Sequence, residues 1–200
     1  MDDPQQPQRN FALLAAAFEG GLAVSAVGLG WLLELEPLET FDWDMAAVGM
    51  GVTATLPLLA MFWLCLKAPL RPFRKILRVI EESMLPLFRQ CSVLELAIIA
   101  TLAGLGEEML FRGIVQGGIA DWLGPPAGIW IALATAAILF GFVHAITPTY
   151  AILAGVIGLY LGGLWMLTGN LLAPISTHAV YDFVALVYLM KIRKPVVASL

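Results

Sequence analysis

Six stretches of the chain are apolar for long enough to cross a bilayer core, which takes roughly 20 residues of helix. They cover approximately 11–33, 45–66, 92–114, 128–146, 150–167 and 171–190. Lipid-facing strands would have to close into a barrel and alternate with period two. These runs do not alternate, so each is predicted to be a helix. The segment 71–86 has a different pattern. Phe73, Ile76, Leu77, Ile80 and Met84 share one helical stripe, while Arg71, Arg74, Lys75 and Arg78 occupy the other side. That spacing predicts an amphipathic interfacial helix on the inner leaflet, drawn there by anionic lipid. No internal repeat or low-complexity tract interrupts the chain. The expected fold is all-α: one domain over 1–200, a polytopic bundle of about six transmembrane helices.

Composition supports this choice of solvent. Of 200 residues, 60% are hydrophobic and 13% charged, against roughly 45–50% and about 25% in soluble domains. A water-soluble globule and a disordered tail are excluded. The net charge of −4, with basic residues forming no continuous surface, excludes a nucleic-acid partner. The expected partners are the bilayer and something embedded in it, and the expected location is the cell membrane, as a multi-pass protein. Cys65 and Cys91 form no disulfide framework and read as small apolar fillers. The first span is longer than the roughly 7–15 residues of a signal-peptide core, and its flank is acidic, so it is expected to remain as a helix.

Basic residues set the orientation. With the N-terminus inside, Arg9, the six between spans 2 and 3 (Lys67 to Arg89), and Lys191, Arg193 and Lys194 are all cytoplasmic. Only Arg112 of the 11 is left over, and the loop 34–44 carries five carboxylates and no base. The positive-inside rule gives N-in, C-in.

Ionisable groups within spans are costly and so are functional candidates. They are Glu19, Glu95, Glu107, Glu108, Arg112, His144, His178 and Asp182. Glu108 and Arg112 are one turn apart and can pair, which accounts for the misplaced arginine. Glu107 is rotated by about 100° from Glu108, so one glutamate is spare. A purely structural alternative is an arginine clamped between two acids. His144 and His178 are the chain's two histidines. Asp182, one turn beyond His178, can accept a ring N–H and fix its tautomer. Glu107, His144 and His178 can bind a divalent metal such as zinc with a position open for water; alternatively the glutamate alone can take a proton from water. Both routes lead to hydrolysis. Glu19, beside Gly20 and Gly21, is expected to pack in the bundle, and Glu95 to reach water at the inner interface. Trp31, Trp43, Trp122 and Trp130 fall near span ends, as an aromatic belt would.

HExxH and the GxSG serine motif are absent. The GxGD-like Gly104–Glu107 and the YD of Tyr181-Asp182 stand in reversed order for an intramembrane aspartyl protease. Three motifs do fit in order: EExxxR (Glu107, Glu108, Arg112), FxxxH (Phe140, His144) and HxxxN/D (His178, Asp182). Over about 95–187 the chain strongly resembles the CPBP family of intramembrane proteases, the type II CAAX prenyl endopeptidases with their bacteriocin-processing and self-immunity relatives. The resemblance implies an endopeptidase acting on a membrane-associated protein or peptide. Glu107 would activate water with His144, His178 with residue 182 would stabilise the oxyanion, and Glu108 and Arg112 would hold the first motif. Two departures stand out: Asp182 replaces the usual Asn, and six spans replace the eight of some relatives. Helices 1 and 2 fall outside the resemblance and are expected to be accessory, lining substrate access or shielding the core. Two other classes share these residues. One is a proton- or cation-coupled transporter using them as a relay, although the repeats expected of a transporter are missing. The other is a catalytically silent immunity or scaffold protein.

On straight helices His144 would sit on the order of 10 Å from the level of Glu107 and His178, at about 1.5 Å per residue. Tilt, unequal helix lengths or a break near Gly141 or Pro148 is needed to bring the three together.

Overall fold

Side-chain caps set the start of several helices. Asp44 accepts from the backbone N–H of Ala46 and Ala47, Ser92 and Glu95 form a reciprocal capping box, and Thr147 accepts from Tyr150 N–H just before Pro148. Each satisfies amides that would otherwise have no acceptor at a helix start. Glu95 thus has a local role.

The computed structural model describes residues 6–193; the first five residues and Lys194, counted above for orientation, lie outside. The helices are α1 (Gln6–Leu33), α2 (Met45–Lys67), α3 (Arg71–Val79), α4 (Leu85–Phe88), α5 (Val93–Glu108), α6 (Gly117–Leu123), α7 (Ala127–Val143), α8 (Pro148–Thr168) and α9 (Leu172–Val187). Three π-helical stretches join or extend them: Ile80–Met84, Met109–Gln116 and Tyr188–Ile192. No strand occurs among the described residues. Four helices are long and apolar enough to cross a membrane, and α7 is a shorter apolar helix. The third predicted span is the composite run 93–123, helical through its π stretch. An all-α bundle of about six transmembrane helices is the observed class.

α5 packs between α1 and α9, α2 lies on α9, and α7 pairs with α8. Small residues allow these close approaches, as is usual where lipid provides little drive for association. A Cβ on Gly104 would stand 2.9 Å from both Ala179 N and Ile175 O of α9. Gly104→Val therefore has to push α9 away, at an expected cost of about 1–3 kcal/mol together with reduced activity. Detergent melting checks this, and an unchanged curve would contradict the packing. The loop 34–44 is fixed too: Trp165 Nε1 donates to Thr40 Oγ1 at 2.8 Å, and Asn170 Nδ2 to the Asp42 carbonyl at 2.8 Å. The four end-of-span tryptophans all face outward.

The segment 71–88 is helical, as its periodicity predicts, and its apolar stripe faces the bundle. Phe73, Ile76, Leu77, Ile80 and Met84 turn inward and line a cavity inside the bundle. The stripe needs an apolar medium, and the cavity supplies one.

Candidate active site

The cavity encloses about 320 Å³, and its walls are mostly apolar. Glu107, His144, His178 and Asp182 all open onto it, so four candidates from three separate spans meet at one place. The spacing problem posed by straight helices is met by unequal lengths. α7 has only 17 residues and stops at Val143, whereas the helical run before it continues to Leu123. His144, the first residue past α7, then reaches Glu107, with Nε2 3.5 Å from Oε2.

Beneath the cavity lies a fully buried ion pair. Arg112 Nη1 donates to Glu108 Oε1 at 2.8 Å, and both side chains are 0% exposed. Arg112 Nη2 donates to the Gly158 carbonyl of α8 at 2.7 Å. A Cβ at Gly158 would press on Ala137 and Phe140 at 3.2 Å, which explains one glycine of the fifth span. Arg112 sits in the π-helical stretch, a distortion often found at functional sites.

The same Glu108 oxygen lies 2.8 Å from His178 Nδ1, whereas Asp182 Oδ2 is 3.5 Å from His178 Nε2. The oxygen that orients the ring is therefore Glu108's, 70 positions away in sequence. Asp182 stands at the cavity side of the same imidazole, at longer range. A ring nitrogen facing a carboxylate donates to it, so Glu108 holds His178 by Nδ1 and leaves Nε2 toward the cavity.

His144 is held differently. Its Nδ1 lies 2.8 Å from the Phe140 carbonyl, a hydrogen bond in which only the ring can donate. This fixes Nε2 as the nitrogen facing Glu107. Phe140 stacks on His144 at 4.4 Å, meets His178 edge-on at 5.9 Å and lies under the Arg112 guanidinium at 5.1 Å. The first residue of FxxxH thus touches all three motifs.

One residue was underrated by the sequence reading. Glu19 of α1 lines the same cavity, within electrostatic reach of Asp182 and His178. Its approach depends on Gly106, where a Cβ would come 2.5 Å from the Glu19 carbonyl. The signal was present as an intramembrane carboxylate, but its partner helix was not. α2 contributes wall residues as well, including Phe62 and Cys65.

The metal hypothesis can be tested on the donors themselves. No three His, Cys, Asp or Glu side chains converge closely enough to hold an ion among the described residues. Glu107 and His144 approach as a pair, while His178 is engaged by Glu108 and Asp182. This donor set does not fit a three-ligand site.

Residues 89–184 match the family model described as type II CAAX prenyl endopeptidase Rce1-like. No curated protein and no solved structure matches the chain. The matched segment contains all three motifs. That segment is similar to this family, and it sits in a membrane protein by the length and apolarity of its helices.

Proposed function

We propose that the chain is an intramembrane endopeptidase that hydrolyses a peptide bond of a membrane-associated substrate, CAAX-type or leader-type, in the cavity described above. One observation carries the reading. Glu107 presents a buried oxygen, Oε2, that has no hydrogen-bond partner and faces His144 Nε2 at the cavity wall. A carboxyl placed this way is suited to accept a proton from a water bound beside it.

In the proposed reaction Glu107 takes one proton as the water oxygen attacks the carbonyl carbon. His144 Nε2 flanks the same water and orients it. The developing oxyanion is met by Nε2–H of His178 in its doubly protonated form, whose Nδ1–H is held by Glu108 and whose Nε2–H lies beside Asp182. The C–N bond then breaks as Glu107 returns its proton to the leaving nitrogen, the water's second proton passes from the new carboxylic acid to the amine, and a carboxylate and an ammonium group remain. No step is routed through a metal. α1 and α2 belong to the same domain in this reading, as walls of the cavity.

The direct test is to incubate the purified chain in lipid with a prenylated peptide bearing a CAAX end and to weigh the products. The protease reading expects a shortened peptide. An intact one, together with an intact leader-bearing precursor, would support the transporter or scaffold reading.

Residue 182 separates charge from hydrogen bonding. Asp182→Asn keeps an oxygen beside His178 Nε2 and is expected to retain a substantial fraction of activity. Asp182→Leu should fall further, yet remain above the level of Glu108→Gln, because Glu108 makes the shorter contact with the ring. Asn as inactive as Leu in the same cleavage assay would mean that residue 182 acts through its charge.

A further inference from the structure

The roof of the cavity carries a charge pattern that the proposed reaction does not use. Six side chains of the segment 71–88, the five of the stripe and Phe88, face the cavity, while Arg71, Arg74, Lys75 and Arg78 are exposed on its outer side. None of these four pairs with a carboxylate among the described residues. The far end of the segment is fastened differently. Glu81 pairs with Arg193 at 2.9 Å, Lys191 Nζ donates to the Arg89 carbonyl at 2.6 Å, and Phe88 meets Phe11 edge-on at 4.8 Å. α3 itself follows the short connection 68–70 and rests on α2 and α8. One end is anchored, and the other is held mainly by its apolar stripe.

We propose that α3 is a lid over the site cavity and that its outer basic face is a docking surface for anionic lipid head groups, which draw the lid open. The stripe has two apolar media within reach, the cavity and the acyl region beside the bundle. Exchanging one for the other changes little hydrophobic free energy, because lipid tails are as apolar as the cavity wall. The basic face then decides the position. Over the bundle its charges are unpaired; over an anionic leaflet each is attracted to the surface. Lys67 and Arg89 flank the lid in sequence, at the ends of α2 and α4, and Lys191 and Arg193, at the end of the Tyr188–Ile192 stretch, meet it in space through Arg89 and Glu81. That gathers basic residues at the end of the bundle where head groups lie. The inference concerns access to the cavity assigned above as the active site, but its test needs no catalysis.

Cys65 lines the cavity beneath the lid and serves as the reporter. The full chain carrying Cys91→Ala, which removes the other thiol, is placed in lipid nanodiscs. These contain either phosphatidylcholine alone or phosphatidylcholine with phosphatidylglycerol. A membrane-impermeant sulfonated maleimide is added, and modification of Cys65 is followed by intact mass. The lid predicts modification at least ~5-fold faster in the anionic discs. It also predicts loss of the difference at high salt, where charges are screened, and in the R74Q/K75Q/R78Q variant. Equal rates in the two lipids, slower modification in the anionic discs, or an unchanged lipid response in the triple variant would each overturn the proposal. The same measurements on a Glu107→Gln background are expected to agree. A lid that responds in a chain without protease activity would leave this inference standing while the protease reading fails, and the reverse outcome is equally distinct.

Discussion

Arg112→Leu is expected to lose stability and activity together. The guanidinium is fully buried and makes two short contacts, to Glu108 Oε1 and to the Gly158 carbonyl. Leucine fills much of the space but leaves Glu108 in the interior with His178 as its remaining partner. Removing one member of a buried ion pair typically costs about 3–5 kcal/mol, a large part of the stability of a small protein. Activity falls with it, because the same Glu108 oxygen orients His178. Replacing both residues by apolar ones should be less damaging to stability than the two single losses summed, since no charge is then stranded. Arg112→Lys should lie in between: it keeps the charge but loses the fork that serves two acceptors at once. Detergent melting of wild type and the four variants, the two single losses, the double replacement and Arg112→Lys, checks this. A curve for Arg112→Leu that superimposes on wild type would show that the pair is not buried as described.

Much of this architecture was legible in the chain because bilayer thickness fixes how long an apolar run must be. The boundaries of α2, predicted at 45–66 and found at Met45–Lys67, follow from that constraint and from the cap at Asp44. The i,i+4 relation of Glu108 and Arg112 was legible for a similar local reason, and it persists inside a π-helical stretch. That stretch itself was not legible, since apolar periodicity over eight residues does not separate a wider helix from an α-helix.

Contacts between distant segments were the other gap. Sequence spacing offered His178 a partner four residues away, Asp182, and could not display Glu108 arriving from α5. The three-helix junction that puts Glu108 there depends on Gly104, whose missing side chain has no signature of its own. Glu19 is the mirror case, brought to the cavity by Gly106. The apolar stripe of the segment 71–86 was legible, but the cavity it lines was not, since amphipathicity reveals that one face seeks an apolar surface and not which surface. The distance between His144 and Glu107, a difficulty for straight helices of equal length, disappears once α7 is seen to end at Val143.

The central claim is that Glu107 is the base that activates water, and Glu107→Gln tests it most directly. Glutamine matches glutamate in size and can still hydrogen-bond, but it cannot hold the proton taken from water. The residue makes no hydrogen bond through Oε2 and stands apart from the Glu108–Arg112 pair. The substitution should therefore leave folding intact, in contrast to Arg112→Leu. The measurement is the turnover number of the purified variant on the prenylated CAAX peptide in lipid, beside wild type at matched folded yield. The account predicts a fall of at least ~10² with an unchanged melting curve. Cleavage by the folded Gln variant at near the wild-type rate would contradict it.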